Sequence, residues 1–524
     1  LKNNGLSPEI QNSIHALIWL SGSALGIAAL IFARNLLSPN LWFDESGQFL
    51  LAIGQFHFAP QQSEYGSLLD SWGHSKSFSL DPGGFTVLLR VAIDIFGTQP
   101  LVLRALPFIF ALIPAALLII LAKSLKLSIG FSIFSLLILF SDDNYLYFAH
   151  EVRPYSMECC GVAAILLATC YLIKNFQLKN LLSWALVCGL FMSSRYSALI
   201  YVVSSCFTII SVQFLLERKI HLKTIFGVTL LAALAFGEYY FMLRYQTTGG
   251  TPPSYVNEFI LKGKDLGQTL SLLKTNYLGH GKFLSGRQVV FKTLFLLSSP
   301  FYLYWIKRRG KFNRITDSTL LCLFIYVVVS ELLWMMLSLT GKMPWKFGTR
   351  WALSEIVLCS LSFLGVAYIF KFFSTHYFQR FYKYTLLLLA VVLLISTIYV
   401  SRGVIKYSRL DYEGENLIKI LPLANQASAG KGTIVMDQFL YPDYRYLVEF
   451  SGAGIEPLAG KVMFADFANL SALKGIENSA ARPVLFISGQ WDSNRRMELI
   501  HSLSGSRLID RFSKNNFMYV LQVD

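Results

Sequence analysis

Eleven predominantly apolar stretches, each near the ~20 residues a helix needs to cross a bilayer, divide this chain. Their approximate positions are 14–34, 101–122, 128–148, 157–173, 180–195, 197–216, 224–243, 288–306, 318–340, 351–370 and 384–401. Charged residues are scarce at 15%, against roughly 25% in a soluble domain. The expected architecture is therefore an α-helical polytopic membrane protein with about eleven spans. The first run is longer than a signal-peptide core and lacks a small-residue cleavage site, so it is expected as a retained helix. Two of the runs meet at Ser193-Ser194-Arg195-Tyr196, and their joint length exceeds one comfortable span.

The net charge of +15 sits in short clusters between apolar runs, which is the pattern of membrane orientation signals and not of a nucleic-acid surface. With the N-terminus in the cytoplasm, the basic links hold Lys123 and Lys126, Lys174 and Lys179, Arg218 to Lys223, Lys307 to Arg314, and Lys371 to Lys383. All of them then lie inside. An odd number of spans puts the C-terminus outside. Three segments are not membrane: loops at about 35–100 and 244–287, and a tail from 402 to 524. The tail has strand-like runs at Thr433–Met436, Val484–Ser488 and Phe517–Val523 with helical stretches between, so it is expected as a small periplasmic α/β domain after a membrane domain of residues 1–401. The seven cysteines all lie in apolar runs without metal-ligand spacing, and are expected as buried small hydrophobes.

Four polar groups fall on the same, outer side. Asp44 and Glu45 follow the first span. Paired carboxylates there can deprotonate a hydroxyl or bind a cation, or an Asp can cap a helix through Gly47–Phe56. Asp81-Pro82-Gly83-Gly84 is a turn leading to Arg90, in a site or merely at the surface. Asp142-Asp143, then His150, Glu151, Arg153 and Tyr155, join two spans; ionisable groups near membrane depth are functional suspects, although Glu151 and Arg153 can also simply pair. Lys342, Lys346 and Arg350 lie among Trp345 and Trp351, an arrangement that suits a lipid phosphate or plain headgroup snorkelling. Carboxylates for an acceptor and cations for a phosphate leaving group, on one face, suit a membrane-surface enzyme.

The order Phe43-Asp44-Glu45, Asp81-Pro82-Gly83-Gly84-Phe85 with Leu88-Leu89-Arg90, Phe96-Gly97, Leu103-Arg104, and His150-Glu151-Val152-Arg153-Pro154-Tyr155 resembles the GT-C glycosyltransferases. The nearest groups are bacterial relatives of protein O-mannosyltransferases and of the lipid A aminoarabinose and galacturonic-acid transferases. Ser194-Arg195-Tyr196-Ser197-Ala198 and Gly348-Thr349-Arg350-Trp351 resemble further stretches of that superfamily. The likeness covers roughly residues 15–200 well and the rest in layout. Asp81-Pro82-Gly83 stands where the family has His-Pro-Pro, and His150-Glu151 where it has Gln-Glu.

The resemblance implies a GT-C fold and an inverting transfer of a sugar from a polyprenyl-phosphate donor to a hydroxyl of a lipid, glycan or protein, at the outer face of a bacterial inner membrane. It implies Asp44 as general base, with Glu45 and Glu151 orienting the acceptor. Asp81, His150, Arg153, Tyr155, Arg195 and Tyr196 would bind substrate, and Lys346 and Arg350, with Arg153, would steady the phosphate. No cofactor is required; a divalent cation (Mg or Mn) on Asp44 and Glu151 is compatible. An oligosaccharide polymerase or ligase, or a lipid-linked-sugar flippase, are the competing classes. The second would show charges deep in mid-span; Glu238, Glu331 and Glu355 read as nearer span ends.

Overall fold

The computed structural model describes residues 43–55, 65–78, 81–140, 142–238, 263–271, 289–308, 316–341, 353–377, 413–428, 432–459, 461–465, 484–488, 506–511 and 519–523, with isolated positions elsewhere. The expected spans at 14–34 and 384–401 lie almost wholly outside this set, and so does the segment with Lys346 and Arg350. The chain divides into two compact units. One comprises Leu1–Asn35, Ser79–Phe85 and Pro107–Arg409; the other comprises Leu36–Phe78, Thr86–Leu106 and Leu410–Asp524. The tail is thus grouped with most of the first extramembrane loop instead of standing alone.

Among the described residues, the helices before the sheet are α1 Phe43–Ala52, α2 Leu68–Phe78, α3 Gly84–Phe96, α4 Pro100–Ser124, α5 Ile129–Phe140, α6 Asp143–Phe148, α7 Tyr155–Lys174, α8 Leu178–Met192, α9 Ala198–Glu217, α10 Leu222–Glu238, α11 Val289–Arg308, α12 Thr316–Leu339, α13 Leu353–Tyr377 and α14 Glu413–Ser428. Every apolar run between 101 and 370 has a helix at its place. Among the described residues, five helices are long and apolar enough to cross a membrane: α4, α7, α9, α12 and residues Leu353–Ser374 of α13. The chain is a multi-pass membrane protein.

Local chemistry sets the helix ends. Pro100 opens α4, where its missing N–H costs nothing, and Lys123 closes it against the negative end of the dipole. The run expected as one span at 128–148 is two helices. Asp142 breaks it, because its carboxylate accepts the Tyr145 N–H at 2.9 Å and caps α6. That accounts for Asp142, one of the polar suspects, as a structural residue. The long run around Arg195 does break, into α8 and α9. In the first unit α9 packs along α12 and α11 along α13, while α7 sits against α8, α9 and α13. Polar side chains inside this bundle satisfy one another: the Trp184 indole donates to Ser205 Oγ at 2.7 Å, and Tyr201 to Ser354 Oγ at 2.6 Å.

The second unit contains a five-stranded sheet, β1 Thr433–Asp437, β2 Lys461–Ala465, β3 Val484–Ser488, β4 Ser506–Arg511 and β5 Tyr519–Val523, in the order β2-β1-β3-β5-β4. β1 pairs parallel with β2 and β3, while β5 runs antiparallel to β3 and β4. Alternation along β1 and β3 sends Ile434, Met436, Leu485 and Ile487 to one face, against Leu417, Ile420, Leu421 and Ala424 of α14. Val435, Val484 and Phe486 line the other face with Phe467 and Leu473.

Candidate active site

Asp44 and Glu45 lie in the first turn of α1, inside the helix and not at its cap. Their carboxylates face the positive end of the helix dipole. Glu45 is fully buried and takes both terminal nitrogens of Arg104, at 2.9 and 3.0 Å, with both side chains at 0% exposure. This bidentate pair fixes the start of α1 to α4 within the second unit. Asp44, one residue earlier, is half-buried. Glu45 is thus held in a buried ion pair, and Asp44 is the carboxylate of the two that retains access to solvent.

The other predicted residues that the structure describes belong to the first unit. The turn at Asp81 docks on the break between α8 and α9. Gly84 N–H donates to Ser193 O at 3.0 Å, and a Cβ at Gly84 would lie 2.6 Å from that same carbonyl. Gly83, at φ +92°, makes the sharp approach possible. Around it forms a buried ionic network. Arg195 Nη1 meets Glu158 Oε2 at 2.5 Å and Arg195 Nε meets Asp81 Oδ1 at 3.4 Å. Arg153 Nη2 lies 4.0 Å from Asp81 Oδ2. Both guanidinium groups stand over the Tyr155 ring, at 4.8 Å for Arg195 and 5.7 Å for Arg153. Two cations and two carboxylates compensate one another here, so Arg195 is a strut joining the Asp81 turn, α7 and the α8–α9 link.

His150 and Glu151 lie in the link between α6 and α7 and are almost fully buried. Ser156 Oγ donates to Phe148 O at 3.0 Å and closes that link. Tyr196 is half-buried beside Arg195. The structure thus brings together Asp81, Arg153, Tyr155 and Arg195, with Asp44 and Glu45 in the other unit. Among the described residues, no group of three or more His, Cys, Asp or Glu side chains is placed to hold a metal ion.

Two groups escaped the sequence reading. Glu158 lies in an apolar helix with its partner 37 residues away. The second is a buried triad: Lys292 of α11, at 0% side-chain exposure, meets Glu331 of α12 at 3.1 Å and also pairs with Glu355 of α13. Glu331 is well inside α12 and not near its end, which corrects its expected position. In both cases the available signal was an ionisable residue inside an apolar run.

No family model matches the chain, and no curated protein matches it. Solved structures do match over nearly the whole length. They include ArnT from Cupriavidus metallidurans bound to undecaprenyl phosphate, at 12% identity and a TM-score of 0.47, over 95% of this chain and 97% of that one. The same protein in the apo state matches at 12% identity and a TM-score of 0.49, over the same shares of the two chains. At these values the likeness does not establish a shared fold, and function has to be read from the residues.

Proposed function

We propose that this chain is a GT-C glycosyltransferase that moves a sugar from a polyprenyl-phosphate donor to an acceptor hydroxyl at the periplasmic face of a bacterial inner membrane, with its N-terminus in the cytoplasm and its C-terminal domain outside. One observation carries the reading: the buried Glu45–Arg104 pair clamps the first turn of α1 and sets the half-buried Asp44 beside it. A carboxylate held that way is pre-organised as a general base. The acceptor oxygen attacks the anomeric carbon with inversion while Asp44 takes the hydroxyl proton. The anomeric C–O bond to phosphate breaks, and polyprenyl phosphate leaves with the electron pair. Lys346 and Arg350, with Arg153, steady the charge that develops on the phosphate. Glu151 and His150 shape the acceptor side with Asp81 and Tyr196. Arg195 holds the turn that carries Asp81.

The test is Asp44→Asn in purified chain, incubated with a panel of radiolabelled polyprenyl-phosphate sugars and scored by release of polyprenyl phosphate. A positioned base contributes about 10²–10⁴-fold to rate. A carboxylate in the first turn contributes only about 0.3–1 kcal/mol to stability. The variant is expected to fold, to bind undecaprenyl phosphate as the parent does, and to lose nearly all transfer. Near-parental turnover by the folded variant would remove Asp44 from the mechanism.

A further inference from the structure

We infer that the C-terminal α/β domain is part of the transfer machinery as a positioning element: Arg445 and Tyr446, nearly 400 residues from the acidic motif, grip α1 and so aim Asp44. The inference rests on the reading of Asp44 as base. It starts from the length of α1. A helix of 10 residues is not stable alone, since isolated helices shorter than about 12–15 residues are marginal in water. Its geometry has to come from what it touches.

Three contacts within the second unit supply it. At the start, Glu45 is held by Arg104. In the middle, the Phe49 ring meets those of Tyr446 and Phe450, with centroids 5.0 and 5.2 Å apart. Past the end, Gln55 Oε1 accepts from Arg445 Nη1 at 2.6 Å, with both residues buried. The segment carrying these grips follows β1 directly and is anchored by the sheet core: Leu440 and Leu447 pack with β1, β3 and α14. The same segment also holds the turn before α4, which carries Arg104. Thr98 Oγ1 donates to Phe450 O at 2.9 Å, and Tyr446 Oη donates to Thr98 O at 3.3 Å. Burial pushes the Tyr446 phenol up, with Arg104 opposing and Glu45 adding, so its hydroxyl stays a donor beside that pair. One strap from the tail therefore sets both partners of the Glu45–Arg104 clamp.

A shift of about 1 Å in a catalytic group can cost about 10²-fold in rate. In the full chain, Arg445→Met is expected to slow transfer by about 10–100-fold while affinity for undecaprenyl phosphate stays within about three-fold. Arg445→Lys, which keeps a donor for Gln55, is expected to recover most of the rate. Gln55→Met, which removes the Arg445–Gln55 bond but leaves the bonds of Arg445 to Glu449 (2.9 Å) and Tyr441 (3.2 Å), is expected to reproduce the loss, and the double variant to be no worse than Arg445→Met, because both substitutions remove the same tie to α1. Parental transfer rate in Arg445→Met and Gln55→Met overturns the inference. So does a loss of rate matched by an equal loss of lipid affinity, which is what general damage to the fold would give. Asp44→Asn is run alongside. If it is inactive while the Arg445 and Gln55 variants are normal, the positioning role alone is wrong; if it is active, the reading of the base falls first.

Discussion

Removing Arg104 separates the structural part of the acidic motif from the chemical part. In Arg104→Met the Glu45 carboxylate stays in a site with no exposure and loses two charge-assisted hydrogen bonds, of 2.9 and 3.0 Å. Breaking a buried pair by deleting one partner costs about 3–5 kcal/mol, because the other charge is left uncompensated. Replacing both partners by apolar groups of similar size is often neutral or stabilising. Arg104→Met is therefore expected to lower stability by about 3–5 kcal/mol, and Glu45→Leu/Arg104→Met to regain most of it. Activity should follow a different pattern. The double variant restores stability without the fork that orients the first turn of α1, so transfer should stay low in both. Unfolding in detergent micelles, followed by tryptophan fluorescence, reads the first quantity, and release of polyprenyl phosphate reads the second. A double variant as unstable as the single one would refute the account of Glu45–Arg104 as a compensated buried pair. A stable double variant with parental turnover would refute its role in aiming Asp44.

Two further outcomes test other parts of the molecule. Lys292→Met removes the ammonium that Glu331 and Glu355 share and is expected to cost about 3–5 kcal/mol; adding Glu331→Gln and Glu355→Gln should recover most of it in the same micelle assay. At α2, Ser67 and Asp70 form a reciprocal cap: Asp70 Oδ2 accepts Ser67 N–H at 2.7 Å and Ser67 Oγ accepts Asp70 N–H at 3.2 Å. The hydrogen bonds from Ser67 hold the Asp70 pKa below its usual range. A depressed carboxylate pKa gives stability that is present above the unfolded value and lost as the pH falls through the folded one. Hydrogen exchange at the start of α2, corrected for its intrinsic pH dependence, should accelerate below about pH 4. Asp70→Asn should abolish that step.

What the sequence revealed depended on how strongly each element is buried. The membrane helices were legible because lipid demands long apolar runs, and even the break at Ser193–Ser197 showed through excess length. The run through Asp142 misled because hydropathy averages over a single capping residue. In the tail, the three strands read from the sequence became β1, β3 and β5, the inner strands of the sheet. The two that were missed, Lys461–Ala465 and Ser506–Arg511, are its edges. Ser506–Arg511 carries Arg507, Asp510 and Arg511, charges that suit an edge and break the apolar run that marks a strand, whereas Lys461–Ala465 is a short strand with a single charge at its start.

The candidate site was legible only in half. Asp44, Glu45, Asp81 and Arg153 stand in short motifs near span ends, where a carboxylate or a guanidinium is conspicuous. Their partners do not share that setting. Glu158 sits among Met157 and Cys159 in a helix that otherwise reads as lipid-facing, and it matters only because the break after α8 turns Arg195 toward it. Arg445 and Tyr446 sit in a tail that resembles a separate domain, and the Arg445 tie to Gln55 spans 390 residues of sequence. A local pattern identifies a group that can do chemistry; the residues that aim it are chosen by tertiary contact and have no local pattern. Substitution at Arg445 is therefore the more informative experiment on the tail: it asks whether the domain acts on the reaction through α1, the helix that carries both acidic residues.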